Sequence, residues 1–461
     1  MSMPARLWAA VAAMGVALVF AGVGLADPSP SGKPTHHHAG DKAQGGGPTS
    51  PVECPPSLHC DFVPAAYQQN SSDPGDYGNY DLANRPADGG VIRYIVIHDT
   101  EVSFDGTVAE FQNPLAYVSS HYVTRSSDGH VTQMVPTKDV AWHAGNWWVN
   151  AHSIGIENEG FATEGNQWYT PQLYSSLSKL TKYLAAKYGI PLDREHLIGH
   201  DQVPGPTQPF QAGMHWDPGP YFDWARFMRL VGAPIKGGPD HGTARVVTID
   251  PDFQTNRPVI TYCDTSPCRT LPSQPTNFVY LHTGPSESAP LVNDLGLHQK
   301  GQPSTTEVSD IGPRAAAGQK FEVVKKQDGW TAVWWLGDLA WFKNTNAAGE
   351  SVVRPSQGTV VQTAGTDAVP VYGRAYPESA AYAGTQVPDQ GVAPFAYRIK
   401  PGQSYVLADD SVPTDYYYAK TYDDSLPDDH TVIVGHDRYY QIWFGHRIAY
   451  VRAADVKLAT G

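Results

Sequence analysis

The chain has 461 residues, enough for about three domains, of which 17% are charged and 41% hydrophobic. This balance excludes a disordered acidic chain and a multispan membrane protein. The formal charge is −14 and no basic cluster occurs, which argues against nucleic-acid binding because that depends on neutralising phosphates. With 44 glycines, 39 prolines and 11% aromatic residues, the composition favours β-rich, loop-rich modules.

The first 26 residues have the pattern of a secretory signal peptide. Arg6 gives a positive start, residues 7–25 are apolar or small, and Gly24-Leu25-Ala26 fits the small-x-small cleavage rule. An uncleaved anchor is the alternative, because the apolar run approaches the ~20 residues that a bilayer requires. We prefer cleavage and expect a secreted, extracellular protein without integral membrane contact afterwards.

Residues 27–75 are predicted to form a flexible linker. Residues 27–53 are rich in Pro, Gly, Ser and His and show no hydrophobic periodicity. Four cysteines suit an oxidising compartment and allow three pairings, of which we favour the local pairs Cys54–Cys60 and Cys263–Cys268. A metal–thiolate site is the alternative, although neither spacing matches the two-residue gap of a zinc ribbon.

Residues 76–236 have the pattern of an α/β domain, with a mixed central sheet and flanking helices. Tyr94-Ile95-Val96-Ile97 is a short apolar run that predicts a buried strand ending at His98. Ser126-Ser127-Asp128-Gly129 predicts a turn between strands at 121–124 and 131–135. Further strands are predicted at 153–157 and 197–200.

Two helices complete this domain. The first follows Thr170 as N-cap, has Pro171 at its first position and ends at Gly189. The second is predicted to begin near Pro220. The residues expected to face inward are Leu173, Leu177, Leu180 and Leu184 in the first helix, and Trp224, Phe227 and Val231 in the second.

After residue 239 the sequence changes to short strands and turns that contain a weak internal repeat. Residues 334–342 echo 443–451, and Gly318-Gln319-Lys320-Phe321 echoes Gly402-Gln403-Ser404-Tyr405. Self-similarity in matching order predicts two copies of one small all-β module. We place them at 243–347 and 355–461.

Six short segments occur in a fixed order within residues 94–224: YIVIHDT, SHYV, WHAG, SIGIENEG, GHDQ and DPGPYFDW. Together they resemble the zinc-dependent N-acetylmuramoyl-L-alanine amidases of the type-2 amidase and peptidoglycan-recognition superfamily. The resemblance covers roughly residues 76–234. The two downstream modules resemble bacterial SH3-like cell-wall-binding modules through their aromatic pattern alone.

The resemblance implies that His98, His200 and Asp217 are zinc ligands. Two imidazoles, one carboxylate and an open position are typical of catalytic rather than structural zinc. Taken singly, each histidine also fits a core position, and Asp217 also fits a helix N-cap. Only the joint pattern predicts ligands. His196 is expected to be structural, because the residues between it and His200 do not favour a helix.

Glu157 matches the family's acidic position and is expected to act as general base. Glu159, two residues later on the same side of the strand, is the alternative. His215 stands two residues before Asp217, where AmpD-type relatives carry a lysine. We expect His215 to stabilise the developing oxyanion or to protonate the leaving nitrogen, and activity to depend on its charge because histidine titrates near pH 6.5. Ser120 stands where some relatives have a tyrosine, so no second oxyanion donor is assumed there.

His143 and Trp147 are predicted to bind substrate. His143 is expected near the stem peptide or lactyl group, and Trp147 is expected to stack on a sugar or peptide. The structural alternatives are packing of His143 beside Trp142 and burial of the Trp147 ring.

The implied function is hydrolysis of the amide bond between N-acetylmuramic acid and L-alanine of peptidoglycan, with Zn²⁺ as cofactor. A non-catalytic peptidoglycan-recognition protein and a zinc peptidase acting on the stem peptide are the alternatives. We expect a monomeric, cell-wall-associated protein with peptidoglycan and no nucleic acid as partner.

Overall fold

The computed structural model describes residues 52–237, 245–264 and 266–460. The predicted signal peptide and the predicted linker up to residue 51 lie outside the described residues. Within the described ranges, no helix combines the length and the apolar character needed to cross a bilayer.

Residues 52–237 form an α/β domain. Its strands are β1 (Cys60–Phe62), β2 (Gln68–Gln69), β3 (Tyr77–Gly78), β4 (Tyr80–Asp81), β5 (Tyr94–Ile97), β6 (Tyr122–Thr124), β7 (Val131–Gln133), β8 (Val140–Ala141), β9 (Ser153–Asn158) and β10 (Leu197–Gly199). Its helices are α1 (Phe104–Phe111), α2 (Trp147–Ala151), α3 (Gly165–Trp168), α4 (Pro171–Tyr188) and α5 (Trp224–Val231).

The centre of this domain is a six-stranded mixed sheet, as predicted, with the order β1-β7-β6-β9-β5-β10. Strands β6, β9, β5 and β10 are parallel neighbours, whereas β7 runs antiparallel to β6. The carboxyl ends of parallel strands lie at one edge of a sheet, which is where open α/β sheets place their ligands. The turn between β6 and β7 contains the predicted Ser-Ser-Asp-Gly segment.

Strand β5 is buried on both faces. Ile95 and Ile97 pack in one hydrophobic cluster with residues of α4 and α5. Tyr94 and Val96 point to the other face and pack in a second cluster, which includes Tyr450 near the end of the chain. Because successive side chains of a strand alternate between faces, a strand covered on both sides is apolar throughout. This explains the continuous Tyr-Ile-Val-Ile run.

Helix α4 has the predicted boundaries. The Thr170 side chain accepts a hydrogen bond from the Leu173 backbone N–H at 3.1 Å, which satisfies one of the free donors of the first turn. Pro171 occupies the first helical position, and Gly189 ends the helix with φ of 70°. All four of its predicted inward leucines are buried.

Helix α5 begins at Trp224 rather than near Pro220. Asp223 caps it by accepting a hydrogen bond from the Arg226 backbone N–H at 2.8 Å. The cap therefore determines the first turn, and the prolines upstream belong to the preceding loop. The predicted inward residues are buried: Trp224, Phe227 and Val231.

Residues 52–75 are part of the α/β domain, so the predicted linker does not extend to residue 75. Strand β1 pairs in parallel with β7 and forms one edge of the central sheet. Glu53 accepts hydrogen bonds from Thr137 and Gln133 and forms an ion pair with Lys187. Burial raises the pKa of Glu53, but these partners outweigh it and lower the pKa to about 2. Composition alone did not reveal these contacts, which join residues far apart in sequence.

Both predicted local disulfides, Cys54–Cys60 and Cys263–Cys268, are present. The second joins the two residues that flank the loop of a short hairpin in the C-terminal part of the chain.

Residues 245–264 and 266–460, called here the β-region, contain strands and short turns. The strands are β11 (Val246–Ile249), β12 (Thr261–Tyr262), β13 (Arg269–Thr270), β14 (Phe278–Tyr280), β15 (Arg314–Ala316), β16 (Lys320–Glu322), β17 (Lys325–Gln327), β18 (Trp330–Trp335), β19 (Asp338–Lys343), β20 (Val353–Ser356), β21 (Thr359–Thr363), β22 (Val369–Pro370), β23 (Arg398–Ile399), β24 (Ser404–Val412), β25 (Asp415–Tyr418), β26 (Thr431–Val434), β27 (Tyr439–Phe444), β28 (Arg447–Arg452) and β29 (Val456–Thr460).

The main sheets of the β-region have the orders β16-β11-β20, β17-β18-β19 and β28-β27-β24-β21-β29. Because β20 pairs with β11, the first module reaches Ser356 and does not end at the predicted residue 347. The β-region is all-β, as predicted, and its resemblance to SH3-like modules stays a prediction.

The two halves of the sequence repeat form matching hairpins. Strands β18 and β19 are joined by the two-residue turn Leu336-Gly337, and β27 and β28 by Gly445-His446. Each copy also supports the turn of the other. Gln319 donates a hydrogen bond to the Gly445 carbonyl at 3.1 Å, and Gln403 donates one to the Gly337 carbonyl at 2.7 Å. Each copy of the repeat therefore stabilises the turn of the other copy through a glutamine side chain.

Candidate metal centre

The three predicted ligands meet at the carboxyl edge of the central sheet. His98 directly follows β5 and His200 directly follows β10, and these strands are paired so that Ile97 lies opposite Gly199. Asp217 lies on the loop that precedes α5. One ligand atom from each of the three side chains lies within 4.8 Å of the other two. His98 Nδ1 is 3.2 Å from Asp217 Oδ2, and His200 Nδ1 is 3.1 Å from Asp217 Oδ1.

The donor set fits a divalent cation. Both ring nitrogens of His200 are buried and make no well-aligned hydrogen bond among the described residues, although Nδ1 lies close to the Asp217 carboxylate. Such an arrangement costs free energy unless a ligand compensates it. Burial would raise the pKa of Asp217, but His200 and His98 together hold it well below its ordinary value. An ionised carboxylate and two imidazoles form the ligand set of catalytic zinc sites.

His98 is oriented by a chain of hydrogen bonds behind it. Its Nε2 lies 2.9 Å from His143 Nδ1, and His143 Nε2 lies 3.0 Å from Ser153 Oγ. Burial and the neighbouring His98 hold the pKa of His143 well below its ordinary value, so the ring is neutral. A neutral His143 that accepts from His98 Nε2–H leaves His98 Nδ1 free for a cation, as outer partners of metal ligands do.

The structure places His143 behind His98, and its predicted contact with substrate stays a prediction. The residue is 7% exposed, and both of its ring nitrogens already have partners.

Trp147 is also engaged elsewhere. Its indole N–H donates to the Tyr417 carbonyl at 2.7 Å, and the two rings stack with an interplanar angle of 13°. Trp147 thus joins α2 to β25 of the β-region, and its predicted part in a substrate groove stays a prediction. Trp148 is fully buried.

Glu157 lies beside the ligands on β9. Its Oε1 is 3.8 Å from His98 Nδ1, and its Oε2 is buried without a partner among the described residues. Burial first, and then the negative charges of Asp217 and Glu110, raise the pKa of Glu157 well above its ordinary value. The site thus holds an uncommitted carboxyl group with high proton affinity.

The structure separates Glu157 from Glu159. Glu159 Oε1 accepts a hydrogen bond from the Phe104 backbone N–H at 2.9 Å, and its Oε2 accepts one from the Ser126 backbone N–H at 2.8 Å. Both oxygens of Glu159 therefore hold loops in place, and Glu157 is the carboxyl that faces the ligands.

His215 lies at the mouth of the site. Its side chain is 71% exposed, its Nδ1 is 3.7 Å from Asp217 Oδ1, and its ring centroid is 4.9 Å from that of His200. An exposed imidazole beside buried ligands can reach a substrate held over the site. Ser120 is fully buried, and its hydroxyl has no hydrogen-bond partner within the described part of the chain.

Asp99 was missed by sequence reasoning. Its backbone N–H donates to Asp217 Oδ2 at 3.3 Å, and its Oδ2 is 2.5 Å from the Tyr169 hydroxyl, which is also 2.6 Å from the Pro218 carbonyl. Burial, then Glu101 and Asp217, raise the pKa of Asp99 well above its ordinary value. A protonated Asp99 can donate to Tyr169 while Tyr169 donates to Pro218, and this fixes the loop that carries Asp217. Its adjacency to His98 was visible in the sequence, but its contact with Tyr169 was not.

The arrangement can perform metal-assisted hydrolysis. Two imidazoles and an ionised carboxylate can hold a cation, a separate carboxyl beside them can accept a proton, and an exposed imidazole can donate one. All of these groups lie together at the carboxyl edge of the central sheet.

Comparison with known proteins points to the same part of the chain. The Amidase_2 family model, described as N-acetylmuramoyl-L-alanine amidase, matches residues 88–220. This range contains every ligand and proton-transfer candidate described above, and it ends before the β-region.

Three relatives of known name are also called amidases of this type. N-acetylmuramoyl-L-alanine amidase A of Achromobacter lyticus is 33% identical over 174 residues, which is 34% of this chain and 90% of that protein. The 1,6-anhydro-N-acetylmuramyl-L-alanine amidase AmpD of Salmonella typhimurium is 38% identical over 120 residues, 25% of this chain and 57% of that protein. N-acetylmuramoyl-L-alanine amidase AmiD of Escherichia coli is 30% identical over 151 residues, 29% of this chain and 51% of that protein.

Among solved structures, that of PlyL aligns with 38% of this chain and 96% of its own, at 19% identity and a TM-score of 0.26.

Proposed function

The chain belongs to the N-acetylmuramoyl-L-alanine amidase family, and from that premise we propose that it hydrolyses the amide bond between N-acetylmuramic acid and L-alanine of peptidoglycan with the help of zinc. The observation that carries the proposal is the convergence of His98, His200 and Asp217 beside the uncommitted carboxyl of Glu157. A recognition protein that only binds has no use for such a carboxyl next to a complete ligand set.

Zinc bound by the three ligands would polarise the scissile carbonyl and lower the pKa of the attacking water. The chain's own residues then move the protons. Glu157 accepts the proton of the water, because a cation bound beside it would keep its carboxyl ionised while burial keeps its proton affinity high. His215 at the mouth donates a hydrogen bond to the carbonyl oxygen as negative charge develops there, or a proton to the departing nitrogen of L-alanine.

Three further residues keep this arrangement in place. His143 holds His98 with its Nδ1 toward Asp217. Asp99 and Tyr169 hold the Asp217 loop. Preorganised ligands of this kind do not need to be reoriented during the reaction, which lowers the barrier.

The proposed location is outside the cell, in association with the cell wall. The pattern of residues 1–26 and the two disulfides support this, because disulfides persist in oxidising compartments. We expect secreted protein whose first residue is Asp27, and N-terminal sequencing of the extracellular fraction measures it. Protein found only in the cytoplasm would contradict this part of the proposal.

The activity is tested by incubating the purified full-length protein with muropeptides and separating the products by mass spectrometry. We expect the lactyl-muramic sugar and the intact stem peptide. The products should disappear after treatment with a chelator and return when zinc is added. Shortened stem peptides would indicate a peptidase, and unchanged muropeptides that co-sediment with the protein would indicate a recognition protein.

A further inference from the structure

One side chain of the β-region, His446, contacts Asp201, the residue next to the predicted ligand His200. It occupies the two-residue turn between β27 and β28, where Gly445 has φ of 79°, and it is 5% exposed. The matching turn of the first repeat has Gly337 at this position and therefore presents no side chain there. The second copy therefore has a side chain at this turn position that the first copy lacks.

Both ring nitrogens of His446 face oxygen acceptors. Nδ1 is 2.7 Å from the Arg314 carbonyl, and Nε2 is 2.9 Å from Asp201 Oδ2. A ring held at both nitrogens has one orientation. The contact with Asp201 joins residues 245 positions apart, so no local feature of the sequence indicates it.

Asp201 connects His446 to two ligands at once. It directly follows His200 in the chain, and its backbone N–H donates to the Asp217 carbonyl at 2.7 Å. It therefore fixes the separation between the backbones of His200 and Asp217. A shift of the Asp201 carboxylate would be transmitted to both ligands.

The same turn, residues 200–202, has a second link to the β-region, which runs through Arg194. Gln202 Oε1 accepts a hydrogen bond from Arg194 Nη2 at 2.7 Å, and Arg194 Nε donates to the Ala317 carbonyl at 3.1 Å. His446 and Ala317 both belong to the β-region. The turn that carries His200 is therefore linked to the β-region at two points.

We propose that His446 is a positioning residue for the metal centre: acting through Asp201, it keeps His200 and Asp217 at the separation that a divalent cation requires. The proposal rests on the proposed function, since the cation is the zinc of that function. It gives the β-region a part in the active site that a tethered cell-wall-binding module would not have. Partners bonded directly to metal ligands typically change affinity 10- to 100-fold when they are removed, and a partner that acts through one further residue is expected at the lower end of that range.

The test is zinc affinity, measured on the full-length apo-protein by titration against a chromophoric competing chelator. The variants are His446→Ala, His446→Gln and His446→Asn. The amide nitrogen of glutamine falls near the position of Nε2 and can keep the Asp201 contact, whereas that of asparagine falls near Nδ1 and can keep only the Arg314 contact. We expect about 10-fold weaker zinc binding for Ala and Asn, and affinity near that of the parent for Gln.

A second variant approaches the contact from the other side. Asp201→Ala should weaken zinc binding about as much as His446→Ala, and the double variant should be no weaker than either single one, because both remove the same contact. If His446→Ala fails to fold, the Gln–Asn pair and Asp201→Ala carry the test.

His196→Ala is the matched control. His196 is also a buried histidine that contacts the β-region, through Asp409 at 3.3 Å, but it precedes β10 and so lies at the opposite end of that strand from His200. We expect it to lower the unfolding midpoint without changing zinc affinity.

Equal zinc affinity in the parent and His446→Ala would overturn the inference, as would an equal loss in His196→Ala. Both outcomes leave the proposed function intact as long as the parent binds one zinc and cleaves muropeptides. A parent that binds no zinc would overturn the inference and the zinc dependence together.

Discussion

Glu157 and Glu159 offer a comparison at the level of single residues, since they have the same side chain and stand two positions apart on β9 and its extension. Glu157 has an oxygen without a partner near the ligands, and Glu159 uses both oxygens on backbone N–H groups. We expect Glu157→Gln to lower kcat by about 100-fold or more, because an amide cannot accept the proton. Zinc affinity should change little.

Glu159→Gln is the control for this prediction. It should keep kcat near that of the parent and lower thermal stability instead. Steady-state hydrolysis of a muropeptide, together with thermal unfolding of all three proteins, measures both effects. Comparable losses of kcat in the two variants would show that the assignment of the proton transfer to Glu157 is wrong.

His215 allows a prediction about pH. If its positive charge stabilises the developing oxyanion, activity in the parent falls as the imidazole loses its proton. Desolvation by the surrounding protein, and then the neighbouring His200, lower the pKa of His215 below its ordinary value, so this loss begins at low pH. Lysine keeps its charge to about pH 10. We therefore expect the ratio of kcat/KM between His215→Lys and the parent to rise between pH 6 and pH 9.

The exposed His436 serves as control, because His436→Lys adds the same charge on the β-region. Its pH–rate profile should follow that of the parent. A pH–rate profile of His215→Lys that coincides with that of the parent would show that the charge of His215 plays no part in catalysis.

The sequence predicted the ligands better than it predicted the residues around them. His98 and His200 end apolar strands, and parallel strands must bring their carboxyl ends together, so the convergence follows from local patterns. The positions of His143 and Trp147 depend on Ser153 and on Tyr417, and the second contact spans 270 residues. No local pattern contains that information.

At the level of elements, the end of α4 gives a prediction that isolates backbone strain. Gly189 has φ of 70°, and a Cβ added there would meet nothing within 4 Å. Gly189→Ala should therefore destabilise the protein by about 1 kcal/mol, because the left-handed conformation is costly for alanine and no contact offsets that cost.

Gly189→Asn is the matched substitution, since asparagine adopts this conformation more readily. It should lose clearly less free energy of unfolding than the alanine variant in denaturant titrations. Equal losses in the two variants would show that the conformation of Gly189 does not limit stability.

Elements with complete local patterns were predicted with good boundaries, and elements that depend on distant partners were not. Helix α4 has a cap, a proline, a leucine face and a terminal glycine, all within 20 residues of each other. Strand β1 has only three residues and exists because β7 pairs with it. Short strands of this kind cannot be recognised from composition.

At the level of the whole molecule, the β-region covers the second face of the central sheet. The hydrogen bond between Tyr94 and Gln441, at 2.6 Å, lies within this contact, and so does the ion pair of Arg93 with Asp409. The sequence predicted separate modules on a shared chain, because an aromatic strand pattern does not reveal which surface it will cover.

His196 makes the stability of this contact depend on pH. Burial lowers its pKa, but its bonds to Asp193 and Asp409 outweigh burial and raise the pKa to about 9. A raised pKa in the folded state means that the stabilisation is complete below about pH 6.5, the value for the unfolded chain, and is lost as the pH rises through 9. The nearby Arg93 also binds Asp409 and keeps part of the contact at high pH.

We therefore expect the free energy of unfolding of the parent to fall between pH 7 and pH 10, and that of His196→Gln to fall less. Glutamine can replace one hydrogen bond but does not titrate. Denaturant unfolding at several pH values measures the difference between the two slopes. Parallel slopes would mean that His196 does not contribute this dependence.

The reciprocal bonds of Gln319 and Gln403 have a consequence for the ancestry of the chain. Each glutamine donates a hydrogen bond to a turn carbonyl of the other copy. Either copy alone would therefore have a turn carbonyl without its donor and a glutamine without its acceptor. Gene rearrangement could not transfer one copy to a new protein and preserve these bonds. The two copies are expected to be inherited together, as a single unit of descent.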